Sequence, residues 1–315
     1  MTVDLTNPIF NDETAARKHI EALRWPNGPV CTNEDCKAVN EATELKGKSH
    51  RHGLYKCRKC GTHFTVLVGS IYEDSHLPLH KWLLATHLMC ASKKGVSALQ
   101  IQRMLGLGSY RTAWHLCHRI REAMTPEENK SGPIGGSNKV VESDETFIGG
   151  KAKNVHNGKP EPKKHAVVTL VERGGEVRAK HVANVTAKNV KEHLQANVDR
   201  KSYLMTDESP VYVKTGKAYR GHASVNHSKD EYVRLGGFVH VNSCESFHAI
   251  IKRQMYGAHH AVSEHHLQRY INEIAFKWNN RISLGVDDTA RAEAAVKGGE
   301  GKRLMYRQPR EAAQT

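Results

Sequence analysis

Four of the seven cysteines fall in two close pairs, Cys31 with Cys36 and Cys57 with Cys60. The other three, Cys90, Cys117 and Cys244, stand singly in apolar or helical stretches. The pairs read C-x4-C and C-x2-C, with twenty residues between them. Two short knuckles of this kind offer four thiolates to one tetrahedral Zn²⁺, at about 2.3 Å each. Two disulfides would use the same residues, but Met1–Phe10 lacks a basic start followed by an apolar stretch, so a reducing compartment is expected. Cys31, Cys36, Cys57 and Cys60 are therefore expected to hold structural zinc, because four thiolates leave no open position. Gly61 suits the tight turn of the second knuckle, and Tyr55, Phe64 and Val66 are residues for a small sheet packed around it.

A second set of residues has oxygen chemistry. Asp144 is expected to end an apolar strand in VVESDETFIGG, and Asp207 another in SYLMTDESP. Aspartates at the ends of neighbouring strands can converge on Mg²⁺ or Mn²⁺, which prefer carboxylates and water. Two such ions about 3.5–4 Å apart serve phosphoryl chemistry on nucleic acid, one on the attacking and one on the leaving oxygen. Strand alternation places Glu142 on the side of Asp144, and Glu145 opposite. In HVNSCESFHAIIKR, Asn242, Glu245 and Lys252 are spaced three and then seven apart, one face of a helix. Glu245 is expected to complete the metal site, and Lys252 to hold a phosphate.

These residues need elements to position them. Asn11–Arg24 reads as a short helix, ended by Trp25-Pro26-Asn27-Gly28. Leu79–Ala91 is apolar and follows Pro78, a helix start. Ser97–Leu105 and Tyr110–Met124 read as two helices around a turn with Gly106 and Gly108, a helix-turn-helix layout. Arg111, Thr112, His115 and Arg119 are its expected DNA-facing residues, with Lys93, Lys94 and Arg253 as further DNA contacts. An ordinary helical hairpin with a solvated basic face has the same spacing.

Residues 125–139, rich in Gly, Pro and Ser, read as a linker. Beyond it come strands at Lys139–Val141, His165–Glu172, Glu176–Val182 and Ser202–Met205, and a helix at Lys188–Val198. Short segments around Val211 and Ala223–Asn226 precede helices at Ser243–Gln254 and His265–Asn280. The expected organisation is a helix and zinc ribbon (1–70), a helix-turn-helix region (76–124), the linker, a mixed α and β domain (140–282) and a loosely ordered basic tail (283–315).

The net charge of +14 and pI near 9.4 point to a polyanionic partner. A mean hydropathy of −0.60, with no long apolar run, argues against a membrane span. A cytoplasmic protein associated with the nucleoid is expected.

In this order, the ribbon, the helix pair, SDETFIGGK, TDES and HVNSCESFHAIIKRQMYGAHHAVSEHHLQRYINEIAFKWNNR resemble the insertion-sequence transposases of bacteria, in the ISXO-like branch. The likeness runs from about Trp25 to Arg281, and GKRLMYR near the end is similar to the family's closing segment. It implies a ribonuclease H-like, retroviral-integrase-type catalytic domain with Asp144 and Asp207 as the first two catalytic carboxylates. For the third, family members have either an asparagine followed by a lysine, or a glutamate. Asn242 and Glu245 both qualify, with Lys252 serving either, and Glu245 is preferred because an anionic oxygen binds Mg²⁺ more strongly.

The implied activity is binding of a mobile element's inverted ends, DNA cleavage and strand transfer by a dimer or larger assembly on double-stranded DNA. Lys151, Lys153, Lys163 and Lys164, in the loop after Asp144, would hold flanking DNA. A domesticated, inactive DNA-binding regulator and a junction or repair nuclease are the alternatives.

Overall fold

The computed structural model describes residues 4–127, 132–150, 163–226, 231 and 233–306. Two compact units emerge, one of Met1–Thr125 with Val286–Thr315, the other of Pro126–Gly285.

The first unit opens with helix α1 (Glu13–Arg24), whose N-terminus is capped by Asp12 accepting from Ala15 N at 2.7 Å. Strands β1 (Ala42–Glu44), β2 (Tyr55–Cys57) and β3 (His63–Phe64) form a three-stranded antiparallel sheet. So small a sheet cannot bury a core of its own. Trp25, Tyr55 and Phe64 supply one, with ring centroids 5.6–5.8 Å apart and Trp25 edge-on to both others. Helices α2 (Leu79–Ala91), α3 (Ala98–Met104) and α4 (Tyr110–Ala123) follow. Ser97 and Ser109 cap α3 and α4 through Gln100 N and Thr112 N, each at 3.1 Å.

The second unit holds a five-stranded sheet in the order β6-β5-β4-β7-β8. Its strands are β4 (Val140–Ile148), β5 (His165–Glu172), β6 (Val177–Val182), β7 (Tyr203–Thr206) and β8 (Gly221–Ser224). β5 runs antiparallel to both of its neighbours, β6 and β4, whereas β7 and β8 run parallel to β4. The apolar run of β5 follows from burial on both faces. Ala166, Val168 and Leu170 pack with Val190 and Leu194 of helix α5 (Ala187–Asn197), while Val167 and Val171 pack on the other side. That other side is covered by α7 (Asn242–Gln254) and α8 (Glu264–Asn279), which follow the one-turn helix α6 (Val213–Gly216).

Two expectations change. β4 does not end at Asp144 but runs on to Ile148, because β5 pairs with it along that whole length, Ile148 opposite His165. Nor is 283–315 a loose tail where it is described: Asp288–Lys297 forms helix α9, which belongs to the first unit. Ala295 and Val296 are buried, and Arg291 donates to Cys90 O at 3.0 Å. Gly298 sits so close to the end of α4 that a Cβ there would lie 2.4 Å from Ala123 O. Residues 1–70 and 76–124 accordingly share one compact unit with this returning segment. Among the described residues no helix is long and apolar enough to cross a membrane.

Removing residues 286–315 uncovers the apolar side chains that α9 packs against. A buried aliphatic side chain is worth about 1.5–3 kcal/mol, so the first unit is expected to lose at least about 3 kcal/mol. Urea unfolding followed by tryptophan fluorescence measures this, and an unchanged midpoint would show that α9 contributes nothing.

Candidate functional site

The four paired cysteines meet. Cys31 Sγ lies 3.5 Å from Cys60 Sγ and Cys36 Sγ 3.8 Å from Cys57 Sγ, with all four sulfurs within 4.8 Å of one another. A disulfide needs about 2.05 Å. Tetrahedral bonds of about 2.3 Å set sulfurs about 3.8 Å apart, so the group fits one zinc ion. The knuckles are turns closed by Cys31 N donating to Ala38 O and Gly61 N donating to Cys57 O, and Gly61 takes the expected left-handed conformation at φ +75°. Hydrogen bonding with Thr62 draws the Cys60 thiol down to about 6, while burial pushes Cys31 up to about 12. A bound cation is what would make Cys31 a thiolate.

The carboxylates meet at the centre of the larger sheet. The parallel ladder between β4 and β7 stops at Glu142 opposite Met205. Continuing that register by two residues sets Asp144 beside Asp207, where the strands no longer bond. Oxygens of Asp144, Glu145 and Asp207 all lie within 4.8 Å of one another. Asp144 Oδ1 accepts from Glu145 N at 2.8 Å, and Asp207 Oδ1 from Ser209 N at 3.0 Å.

Glu145 does point to the opposite face, where Tyr212 Oη donates to it and itself accepts from Ser143 Oγ at 3.0 Å. Because the neighbouring ladder has ended, its carboxylate still reaches the other two. Burial, then the nearby Asp207 and Asp144 charges, push Glu145 up to about 7 against the Tyr212 hydrogen bond. Glu145 was not expected as a ligand; alternation alone had turned it away.

Glu142 shares the face of Asp144 but has another task. Fully buried, it accepts from Ser243 N at 2.7 Å, Cys244 N at 3.2 Å and Ser243 Oγ at 3.1 Å, the first turn of α7. Arg173 Nε pairs with it at 2.5 Å and His240 Nδ1 lies at 3.1 Å. The same guanidinium donates to Phe238 O and His240 O at 2.7 and 2.9 Å. α7 is thus bolted to β4 at its N-terminus.

Along α7, Asn242 and Glu245 are exposed in the first turn, and Glu245 lies outside the group of three converging carboxylates. His248, one turn after Glu245, brings Nδ1 within 3.5 Å of Asp144 Oδ2, while its Nε2 meets Thr169 Oγ1 at 3.1 Å. Burial, then Lys252, lower its pKa to about 4, so the ring is neutral beside Asp144. His248 was missed in the sequence, although its spacing from Glu245 and Lys252 puts all three on one face. Lys252 and Arg253 are exposed.

In the first unit Lys93, Lys94 and Arg111 are exposed, with Arg111 over the Tyr306 ring at 5.6 Å, and Thr112 is half-buried. Arg119 is not DNA-facing: it is 6% exposed, donates to Glu73 O at 2.5 Å and lies over the Trp82 ring. His115 is half-buried against Tyr306. α4 is buried on more faces than expected because chain distant in sequence packs on it. Of the loop lysines, Lys163 and Lys164 are exposed, whereas Lys151 and Lys153 lie outside the described residues.

Comparison with known proteins gives these patterns a context. Residues 11–63, which hold all four paired cysteines, match a transposase zinc-ribbon domain. Residues 135–279 match an ISXO2-like transposase domain. The chain is 27% identical over 285 residues to an uncharacterized protein in transposable element ISH50 of Halobacterium salinarum, covering 83% of this chain and 89% of that protein. A solved simian T-cell lymphotropic virus intasome in complex with PP2A regulatory subunit B56 gamma is similar over 54% of this chain and 63% of that chain, at 13% identity and a TM-score of 0.27. This chain therefore spans less than two thirds of that structure's chain. A pre-cleavage Mos1 transpososome is similar over 65% of this chain and 75% of that chain, at 14% identity and a TM-score of 0.25.

Two outcomes follow from the geometry. Cys36→Ser is expected to lower bound zinc by one equivalent, measured by elemental analysis, and to loosen the ribbon; an unchanged zinc content would show that these thiols hold none. Glu142→Gln leaves Arg173 and the α7 amides without their anion and is expected to cost about 3–5 kcal/mol. Hydrogen exchange should rise first at Ser243 and Cys244, and wild-type protection there would refute the anchoring role.

Proposed function

The chain belongs to the insertion-sequence transposases that join a zinc ribbon to an ISXO2-like transposase domain, and from that premise we propose that it binds an element's inverted ends, cleaves DNA and transfers the freed 3′ end to target DNA. The convergence of Asp144, Glu145 and Asp207 within 4.8 Å, where the β4–β7 ladder ends, carries this reading. The strand order, three antiparallel strands followed by two parallel ones, supports a ribonuclease H-like arrangement.

Three carboxylates crowded together repel one another unless a cation or a proton intervenes. Divalent cations bound there, Mg²⁺ or Mn²⁺, would activate the attacking oxygen and stabilise the leaving 3′ oxygen. Asp144 and Asp207 are held for this by the backbone amides of Glu145 and Ser209. Glu145 adds a ligand from β4. Glu245 lies on α7, one turn before His248; burial first, and then the charges of Asp144, Glu142, Glu145 and Glu245, raise the nearby Cys244 thiol. Glu245 is the proposed third catalytic carboxylate when DNA is bound, with Asn242 one turn nearer the helix start. Lys252 and Arg253, exposed further along α7, would take DNA phosphates.

In the first unit α3 and α4 form the proposed helix-turn-helix, with Lys93, Lys94, Arg111 and Thr112 towards DNA. Zinc bound by Cys31, Cys36, Cys57 and Cys60 would hold the ribbon's shape. Handling two element ends together calls for a dimer or larger assembly.

Asp144→Asn and Asp207→Asn are each expected to lower Mg²⁺-dependent cleavage of a duplex carrying the terminal repeats by about two orders of magnitude or more. Binding to that duplex should stay within about twofold, since neither residue is a phosphate contact. Parental cleavage by both variants would overturn the proposal. Comparing Glu145→Gln, Glu245→Gln and Asn242→Ala in the same assay identifies the third ligand by which loss abolishes cutting.

A further inference from the structure

A second convergence of metal-ligating atoms lies away from the carboxylates. His165 opens β5, His181 stands near the end of β6, and Glu264 begins α8. Val167 pairs with His181 across the strands, so His165 and His181 are diagonal neighbours on the sheet face that α8 covers. Ligand atoms of the three side chains lie within 4.8 Å of one another.

Hydrogen bonding does not account for this meeting. His165 Nδ1 lies 3.7 Å and His181 Nε2 3.9 Å from the same oxygen, Glu264 Oε1, beyond hydrogen-bond range. Both ring nitrogens are shielded from solvent and have no hydrogen-bond partner among the described residues. Leaving such atoms unsatisfied is costly. A tetrahedral ion with bonds of about 2.0–2.2 Å to nitrogen and oxygen sets its ligand atoms about 3.4 Å apart, which these distances exceed by a few tenths of an ångström.

The surroundings orient the set. Lys163 Nζ holds the other oxygen, Glu264 Oε2, at 2.7 Å, which leaves Oε1 towards the imidazoles. One turn on, Gln268 Oε1 accepts from His181 N at 2.7 Å and fixes α8 against β6.

We propose that His165 Nδ1, His181 Nε2 and Glu264 Oε1 form a transition-metal site for zinc or a similar borderline cation, tying the β5–β6 edge to the start of α8. The donor set, two imidazoles and one carboxylate, suits such a cation rather than Mg²⁺. The site is separate from the carboxylate cluster. His165 pairs with Ile148, four residues along β4 from Asp144, about 13 Å away.

Zinc stoichiometry of the purified full chain, dialysed against low-micromolar zinc chloride, tests this. Wild type is expected to hold two equivalents, His165→Ala and His181→Ala one each, and the Asp144→Asn/Asp207→Asn double variant two. A wild type that saturates at one equivalent, or histidine variants that keep two, would overturn the site. Loss of the second equivalent in the aspartate variant alone assigns it to the carboxylates and likewise overturns the proposal. Should the histidine variants fail to fold, zinc-edge X-ray absorption of wild type decides the matter. Imidazole scattering beside the sulfur shell supports the site, and a purely sulfur or sulfur-and-oxygen environment refutes it.

Discussion

A single buried carboxylate, Glu142, fixes the geometry on which the candidate active site depends. It sits at the last rung of the β4–β7 ladder and receives the first amides of α7, where the helix dipole favours an anion. Burying a charge is expensive, and the attraction to Arg173 roughly offsets that cost rather than adding large net stability. What the arrangement secures is position. Arg173 also gathers the carbonyls of Phe238 and His240, so the chain entering α7 is tied to the same point. Every later residue of the helix inherits its place from this anchor, which is why His248 arrives at Asp144 a little over one turn on.

The other determinant is where a ladder stops. While β4 and β7 are paired, adjacent residues on β4 face opposite ways and cannot share a ligand. Past Glu142 and Met205 β4 keeps its alternation along β5 but is no longer bonded to β7, and across that open edge Asp144 and Glu145 reach one locus with Asp207 despite their opposed faces. The crowding has an electrostatic result, since Glu145 is driven up to about 7 by burial and by its two neighbours. A site so crowded by like charge is the kind that a cation would relieve, so the end of a strand pairing is what gathers the candidate ligands.

Local signals in the sequence were legible where local physics decides. Cysteine spacing located the ribbon, and two-sided burial made β5 readable to the residue as an apolar run. The helices α1, α2 and α7 carried their own periodicity or caps. Long-range packing was not readable in the same way. α9 lies in a stretch of Ala, Gly and charge whose burial comes from α2 and α4, far back in the chain. Arg119 looked like a solvent-facing cation because nothing nearby in sequence reveals Glu73 O or Trp82. His165, His181 and Glu264 span a hundred residues, and only the β5–β6 pairing with α8 across it brings them together.

The three metal-ligating groups differ in the cations they suit, and the difference lies in their atoms. Four thiolates are soft donors that exclude Mg²⁺ and leave no exchangeable position, so the ribbon's ion is confined to structure. The clustered carboxylates are hard donors, suited to a hard divalent ion that keeps several of its waters. The two imidazoles with Glu264 lie between these extremes, selecting zinc-like ions without thiolates. Occupied as proposed, the three groups would hold chemically different cations, because each group's donors discriminate against the ions that suit the others.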